Sequence, residues 1–301
     1  MKKRSHRILD HPVLGYFLLT LLGMIFSSLG DPIDTRISNI VPGYAMETAS
    51  AGGTYTTASG LGTAVASLAV LGLFWLWFRP DYKGCLKVRG LKTGLLMLLP
   101  FLIIHYCGSI VSWFTFGIGG VLAAFLRSFA PGFGEEVAFR GMGVANYMRT
   151  IRSENQIKVI FWLSSIVFGA THLANILAGG DVFSCVVQAI YAAGVGMLFC
   201  AVYLRTGSLW PTIIGHTSVD FMELIRADLS ASGGIMTGMG IGDWITIAAG
   251  AFAAFWALRL IRPEYYPQIM DIWADKWNRK QELRTAGETS AAMTGSASTA
   301  E

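Results

Sequence analysis

Charge is what this sequence has least of. Only 14% of its 301 residues are Asp, Glu, Lys or Arg, where a soluble globular chain carries roughly a quarter. With 53% apolar residues, that shortfall excludes an ordinary water-soluble domain. The net charge of +4 is small. It resides in short Lys/Arg clusters between apolar runs, which points to membrane topology and away from nucleic-acid binding. Cysteine is scarce too: Cys85, Cys107, Cys185 and Cys200 lie in or beside apolar runs without CxxC spacing. They read as buried small hydrophobes, which excludes a disulfide framework and a zinc ribbon. HExxH is missing, and no internal repeat is evident.

What is present is a succession of apolar segments. Val13–Leu29 follows the basic stretch Met1–Asp10. A signal peptide is the rival reading, but no small-x-small cleavage site precedes Asp31, so a retained helix is expected. Residues 30–60 are polar and read as an external loop. Further spans are expected at Leu61–Phe78, Gly94–Trp113, Ile157–Leu177, Val182–Leu204, Leu209–Ile225 and Trp244–Ile261. Between them, Gly117–Phe129 is short, and Pro131-Gly132-Phe133-Gly134 is expected to break it before a helix over Glu135–Arg149. The fold class expected is an all-α polytopic membrane bundle of about eight transmembrane helices, with a broken or re-entrant segment near 117–134. Residues 1–116 form its N-terminal part, 117–226 a core, 227–262 the last span and 263–301 a cytoplasmic tail. In that tail, Ile269–Trp277 is read as surface-lying and the chain beyond Arg284 as disordered.

Lys and Arg set the orientation. With both termini cytoplasmic, the basic stretches at 79–92, 149–158, 205 and 259–280 all fall inside.

Against this apolar background three polar insertions stand out: Glu135, Glu136 and Arg140; His172 after Phe168; and His216 with Asp220. Ionisable groups at bilayer depth are costly and mark function. Glu135 lies fourteen positions from Arg149, His172 fourteen from Lys158, and His216 eleven from Arg205. At about 1.5 Å per residue those intervals place the groups roughly 16–21 Å from the inner ends of their helices. One shared site follows.

Within it, Glu136 and Arg140 stand four apart in the favourable order and form a supporting ion pair. Neighbouring helical residues diverge by about 100°, which leaves Glu135 as the free carboxylate and candidate general base. His216 and Asp220 share one helical face, so the carboxylate is expected to orient the imidazole. Glu135, His172 and His216 could also supply three ligands to a zinc ion with one open position. His105 reads as structural and Glu223 as solvated.

Glu-Glu-x-x-x-Arg at 135–140, Phe-x-x-x-His at 168–172 and His-x-x-x-Asp at 216–220 resemble the three motifs of the CPBP intramembrane protease family. That family includes prenyl-protein (CAAX) endoproteases and bacterial relatives linked to bacteriocin processing, self-immunity or abortive infection. The resemblance covers residues 117–226. It implies an endopeptidase of the bacterial cytoplasmic membrane acting on a membrane-associated peptide or protein, in which Glu135 and His172 activate water. His216 and residue 220 would complete the site, with Glu136 and Arg140 in support. It favours a metal-free mechanism over a divalent metal such as zinc. The prenyl proteases carry Asn where this chain has Asp220, and an ionised Asp cannot donate to an oxyanion. The alternative function is a non-proteolytic membrane protein acting in bacteriocin immunity or regulating a partner. A proton-coupled transporter is a third.

Overall fold

A computed structural model describes residues 8–40, 45–50, 53–58, 60–107, 124–125, 128–230 and 241–279. Most of segment 117–134 to its residue 127, and the expected disorder beyond Arg284, lie outside them.

The described chain is helical except for one hairpin. Helix α1 (Pro12–Ser28) runs into α2 (Asp31–Ile40), followed by the antiparallel strands β1 (Ala45–Ser50) and β2 (Gly53–Ala58), paired from Ala45 with Ala58 to Ser50 with Gly53. The expected loop at 30–60 is therefore structured, while the fold around it is all-helical as expected. Thr54–Thr57 is β-branched and aromatic, a composition suited to a strand, yet too polar to stand out by hydrophobic pattern.

Helices α3 (Leu61–Trp77) and α4 (Leu91–Cys107) follow. The α3 N-terminus begins after Gly60, whose left-handed backbone supplies no side-chain cap. Asp34 of α2 takes that role: its carboxylate accepts from the backbone N–H of Gly62 at 2.8 Å and of Thr63 at 3.1 Å. A buried carboxylate thereby satisfies two of the orphan donors that open every helix.

Next come α5 (128–136), a π-helical segment (Val137–Val144) and α6 (Ala145–Arg149), which form one uninterrupted helix. The break expected at Pro131–Gly134 does not occur among the described residues. The glycine there serves close packing instead. A Cβ on Gly132 would stand 2.8 Å from the backbone nitrogen of Thr217, so the missing side chain lets this helix meet the one carrying His216.

The rest of the bundle is α7 (Glu154–Thr171), a 3-10 turn (His172–Ile176), α8 (Val182–Thr206), α9 (Trp210–Ser230), α10 (Ile241–Leu260) and α11 (Tyr266–Lys276). Helix α8 is the axis, packed against α4, α7, α9, α10 and α11. Its residues Leu198–Leu204 are fully buried, as expected for a helix apolar all round.

Among the described residues, three helices are long and apolar enough to cross a membrane: Pro12–Ile37, Glu154–Ile176 and Val182–Thr206. A fourth is reached if Trp244–Leu260 and Pro263–Lys276, bent by 54°, count together. Eight spans are thus not reached by length and composition, for two reasons. Helices α3 and α4 have 17 residues each, about 26 Å against a hydrocarbon core of about 30 Å. The helices of the site carry the ionisable groups themselves.

The basic segments gather at one end, as expected. Arg149 pairs with Asp10 at 2.7 Å, Lys83 with Asp275 at 3.0 Å, and Arg205 donates to Leu260 O at 2.9 Å. Helix α11 closes this end and does not lie apart on the membrane surface. Ile269 and Trp273 are fully buried. The Trp273 indole N–H donates to Leu204 O at 3.0 Å and that of Trp277 to Ala145 O at 3.1 Å, tying α11 to the ends of α8 and α6.

Candidate active site

Glu135 and Glu136 end α5, where the π-helical segment begins. All eight residues of that segment are buried. Such wide turns recur at functional sites. Arg140 within it donates from Nη1 to Glu136 Oε1 at 2.7 Å, and both side chains are inaccessible to solvent. Its Nη2 donates to Gly196 O of α8 at 3.1 Å. The guanidinium also lies 4.3 Å from the centre of the Phe168 ring, an attraction strengthened by burial. Gly196 makes the space: a Cβ there would stand 3.0 Å from Phe168 Cδ1 and 3.4 Å from Arg140 Nη2.

Glu136 has a second task that the spacing did not disclose. Its Oε1 also lies 3.1 Å from His216 Nδ1. A carboxylate held by Arg140 accepts, so Nδ1 carries the proton and donates. Glu136, not Asp220, therefore orients the imidazole, which corrects the expectation from the four-residue spacing. Asp220 stands on the other side of the ring, its Oδ1 3.6 Å from Nε2, and Glu135 Oε2 is 3.9 Å from that same nitrogen. Both separations exceed a hydrogen bond. Glu135 Oε2 is itself buried and accepts no hydrogen bond among the described residues. The expected division of the pair holds geometrically: Glu136 is committed and Glu135 is not.

His172 opens the 3-10 turn that ends α7. Its Nδ1 lies 2.9 Å from Phe168 O; a carbonyl only accepts, so this nitrogen is the N–H and Nε2 is left over. The Phe168 ring contacts both histidines, 5.3 Å from His172 and 5.7 Å from His216 between centres. Among the described residues no hydrogen bond or ion pair joins His172 to Glu135. The three motifs thus meet around Phe168. Phe199 of α8 flanks His216 at 5.5 Å. Sequence reasoning passed over Gly196 and Phe199; a glycine in the apolar run of α8 was the available sign of close approach.

Among the described residues no group of three or more His, Cys, Asp and Glu side chains is arranged to hold a metal ion. Glu135, His172 and His216 are therefore not gathered into a metal-holding group among the described residues. His105 is buried and stacked between Phe101 and Tyr191, and Glu223 is exposed.

Residues 117–222 match the family model of the Rce1-like type II CAAX prenyl endopeptidases. This segment is similar to the Rce1-like members of the CPBP family. The match spans all seven residues of the three motifs, from Glu135 to Asp220. No curated protein and no solved structure matches the chain. The match to a protease family and the helices long and apolar enough to cross a bilayer together fit a helical membrane protein.

Proposed function

We propose that the chain is an intramembrane endopeptidase that hydrolyses a peptide bond of a membrane-associated protein or peptide. One observation carries the reading. Of two adjacent carboxylates in an apolar bundle, Glu136 is held through Oε1 by Arg140 and His216, while among the described residues the buried Oε2 of Glu135 accepts no hydrogen bond. A carboxylate kept free beside an oriented imidazole is what a general base requires.

The chemistry follows from these positions. Water enters between Glu135, His216 Nε2 and Asp220, and Glu135 takes its proton as the oxygen adds to the scissile carbonyl carbon. The C–N bond then breaks, and the same proton passes to the leaving amine. Glu136 and Arg140 hold His216 in register throughout. His172, with its Nδ1–H given to Phe168 O, presents Nε2 as an acceptor that holds the water. Asp220 borders the site beside His216 Nε2 without orienting the ring, and as a carboxylate it would repel the developing oxyanion.

Comparing membrane-protein termini in cells carrying wild type or Glu135→Gln at equal expression tests the reading. Specific new termini that vanish in the variant support it and name the substrate. Unchanged cleavage in Glu135→Gln overturns it. Identical profiles alongside a deletion phenotype would transfer the function to binding, as in immunity or partner regulation.

A further inference from the structure

Away from the catalytic core, the start of α4 carries a groove of about 480 Å³ lined by Val88, Leu91, Lys92, Leu95, Leu96 and Leu99. That volume is within the range of roughly 300–1,000 Å³ typical of small-molecule sites. Lys92 lines it, and Lys87 and Arg89 flank its lining residue Val88 in the chain; all three cations are exposed. Among the described residues none of their side chains has an ion-pair or hydrogen-bond partner. The segment is fixed in place: Ser208 Oγ donates to Lys87 O and Trp210 Nε1 to Leu86 O, each at 2.8 Å.

Below the cations runs an apolar track. Lys92, Leu96, Leu99 and Ile103 fall at i, i+4, i+7 and i+11, one face of a helix. Leu96, Leu99 and Ile103 remain 58%, 46% and 52% exposed. From Lys92 to Ile103 the helix rises about 17 Å, close to the ~15 Å of one hydrocarbon leaflet. The groove lies at the end where the basic segments collect, and cations at a bilayer surface favour anionic headgroups.

We infer that this face binds an anionic phospholipid, its phosphate among Lys87, Arg89 and Lys92 and one acyl chain along Leu96, Leu99 and Ile103. The inference rests on the membrane reading and is independent of the catalytic roles. Its test is retention of phosphatidylglycerol against phosphatidylcholine, measured by native mass spectrometry on the full chain. Glu135→Gln protein serves equally, so lipid binding and catalysis fail separately. Wild type should retain phosphatidylglycerol preferentially, and Lys87→Gln/Arg89→Gln/Lys92→Gln should lose about tenfold or more of that retention. Leu96→Ser/Leu99→Ser should weaken it with the cations intact. Equal retention of the two lipids by wild type overturns the inference without recourse to any variant. So does undiminished phosphatidylglycerol retention by the triple variant, displacement by glycerol phosphate alone, or a second copy of the chain on this face.

Discussion

Glu136 is the residue on which the site's geometry turns, because one oxygen serves both Arg140 and His216. A buried ion pair adds little net stability, but breaking one by removing a single partner strands a charge and costs about 3–5 kcal/mol. Arg140→Leu should therefore lower the unfolding midpoint sharply, whereas Glu136→Gln/Arg140→Leu should recover part of the loss. Strict additivity of the two single effects in detergent-solubilised protein would show that the pair is not coupled. Asp220 leads to a different expectation. It lies 3.6 Å from His216 Nε2 and is not the group that orients the ring. Asp220→Asn would replace a repelling carboxylate with an amide that can donate to the oxyanion. Turnover should then hold or rise, by up to about tenfold, with little change in stability. A fall of about a hundredfold would mean that the carboxylate itself is needed, and Asp220 would join Glu135 among the candidates for general base.

At the scale of the elements, legibility depended on what the local sequence encodes. The Glu136–Arg140 pair was readable because four residues close one helical turn. The contact between Glu136 and His216 was not, because it spans 80 positions. The π-helical segment was equally hidden, since nothing in Val137–Val144 distinguishes a wide turn from an ordinary one. Pro131–Gly134 looked like a break because glycine weakens helices, yet Gly132 is there to let Thr217 approach. The site residues were found by chemistry; their partners were set by packing. Helix α2 gives a case of one element completing another. Asp34→Ala would leave the N–H groups of Gly62 and Thr63 without their cap. A loss of about 1–2 kcal/mol in unfolding free energy is expected, with catalytic turnover unchanged. Wild-type stability in that variant would mean that solvent satisfies the start of α3 equally well.

Across the whole molecule, the similar depth of Glu135, His172 and His216 was estimated by counting inward from Arg149, Lys158 and Arg205. That estimate worked because all three cations stand at the same end. Arg149 pairs with Asp10 and its carbonyl accepts from Arg279, Lys158 approaches the Tyr266 ring, and Arg205 lies over Tyr265. A common origin made sequence distance a measure of depth. The same end holds the N-terminal segment and α11, while α1 and α3 carry the chain away to the hairpin and back. If the positive-inside rule orients this arrangement, the hairpin faces outward and the basic end inward. A cysteine introduced at Thr56 should then react with an impermeant maleimide in intact cells, and one at Arg152 only after permeabilisation. The native cysteines at 85, 185 and 200 are buried, and a protein without the introduced cysteine gives the background at Cys107. Labelling in the opposite order would invert the bundle. The cations at 79–92 would then face outward, and the Rce1-like core would approach its substrates from the other side of the membrane.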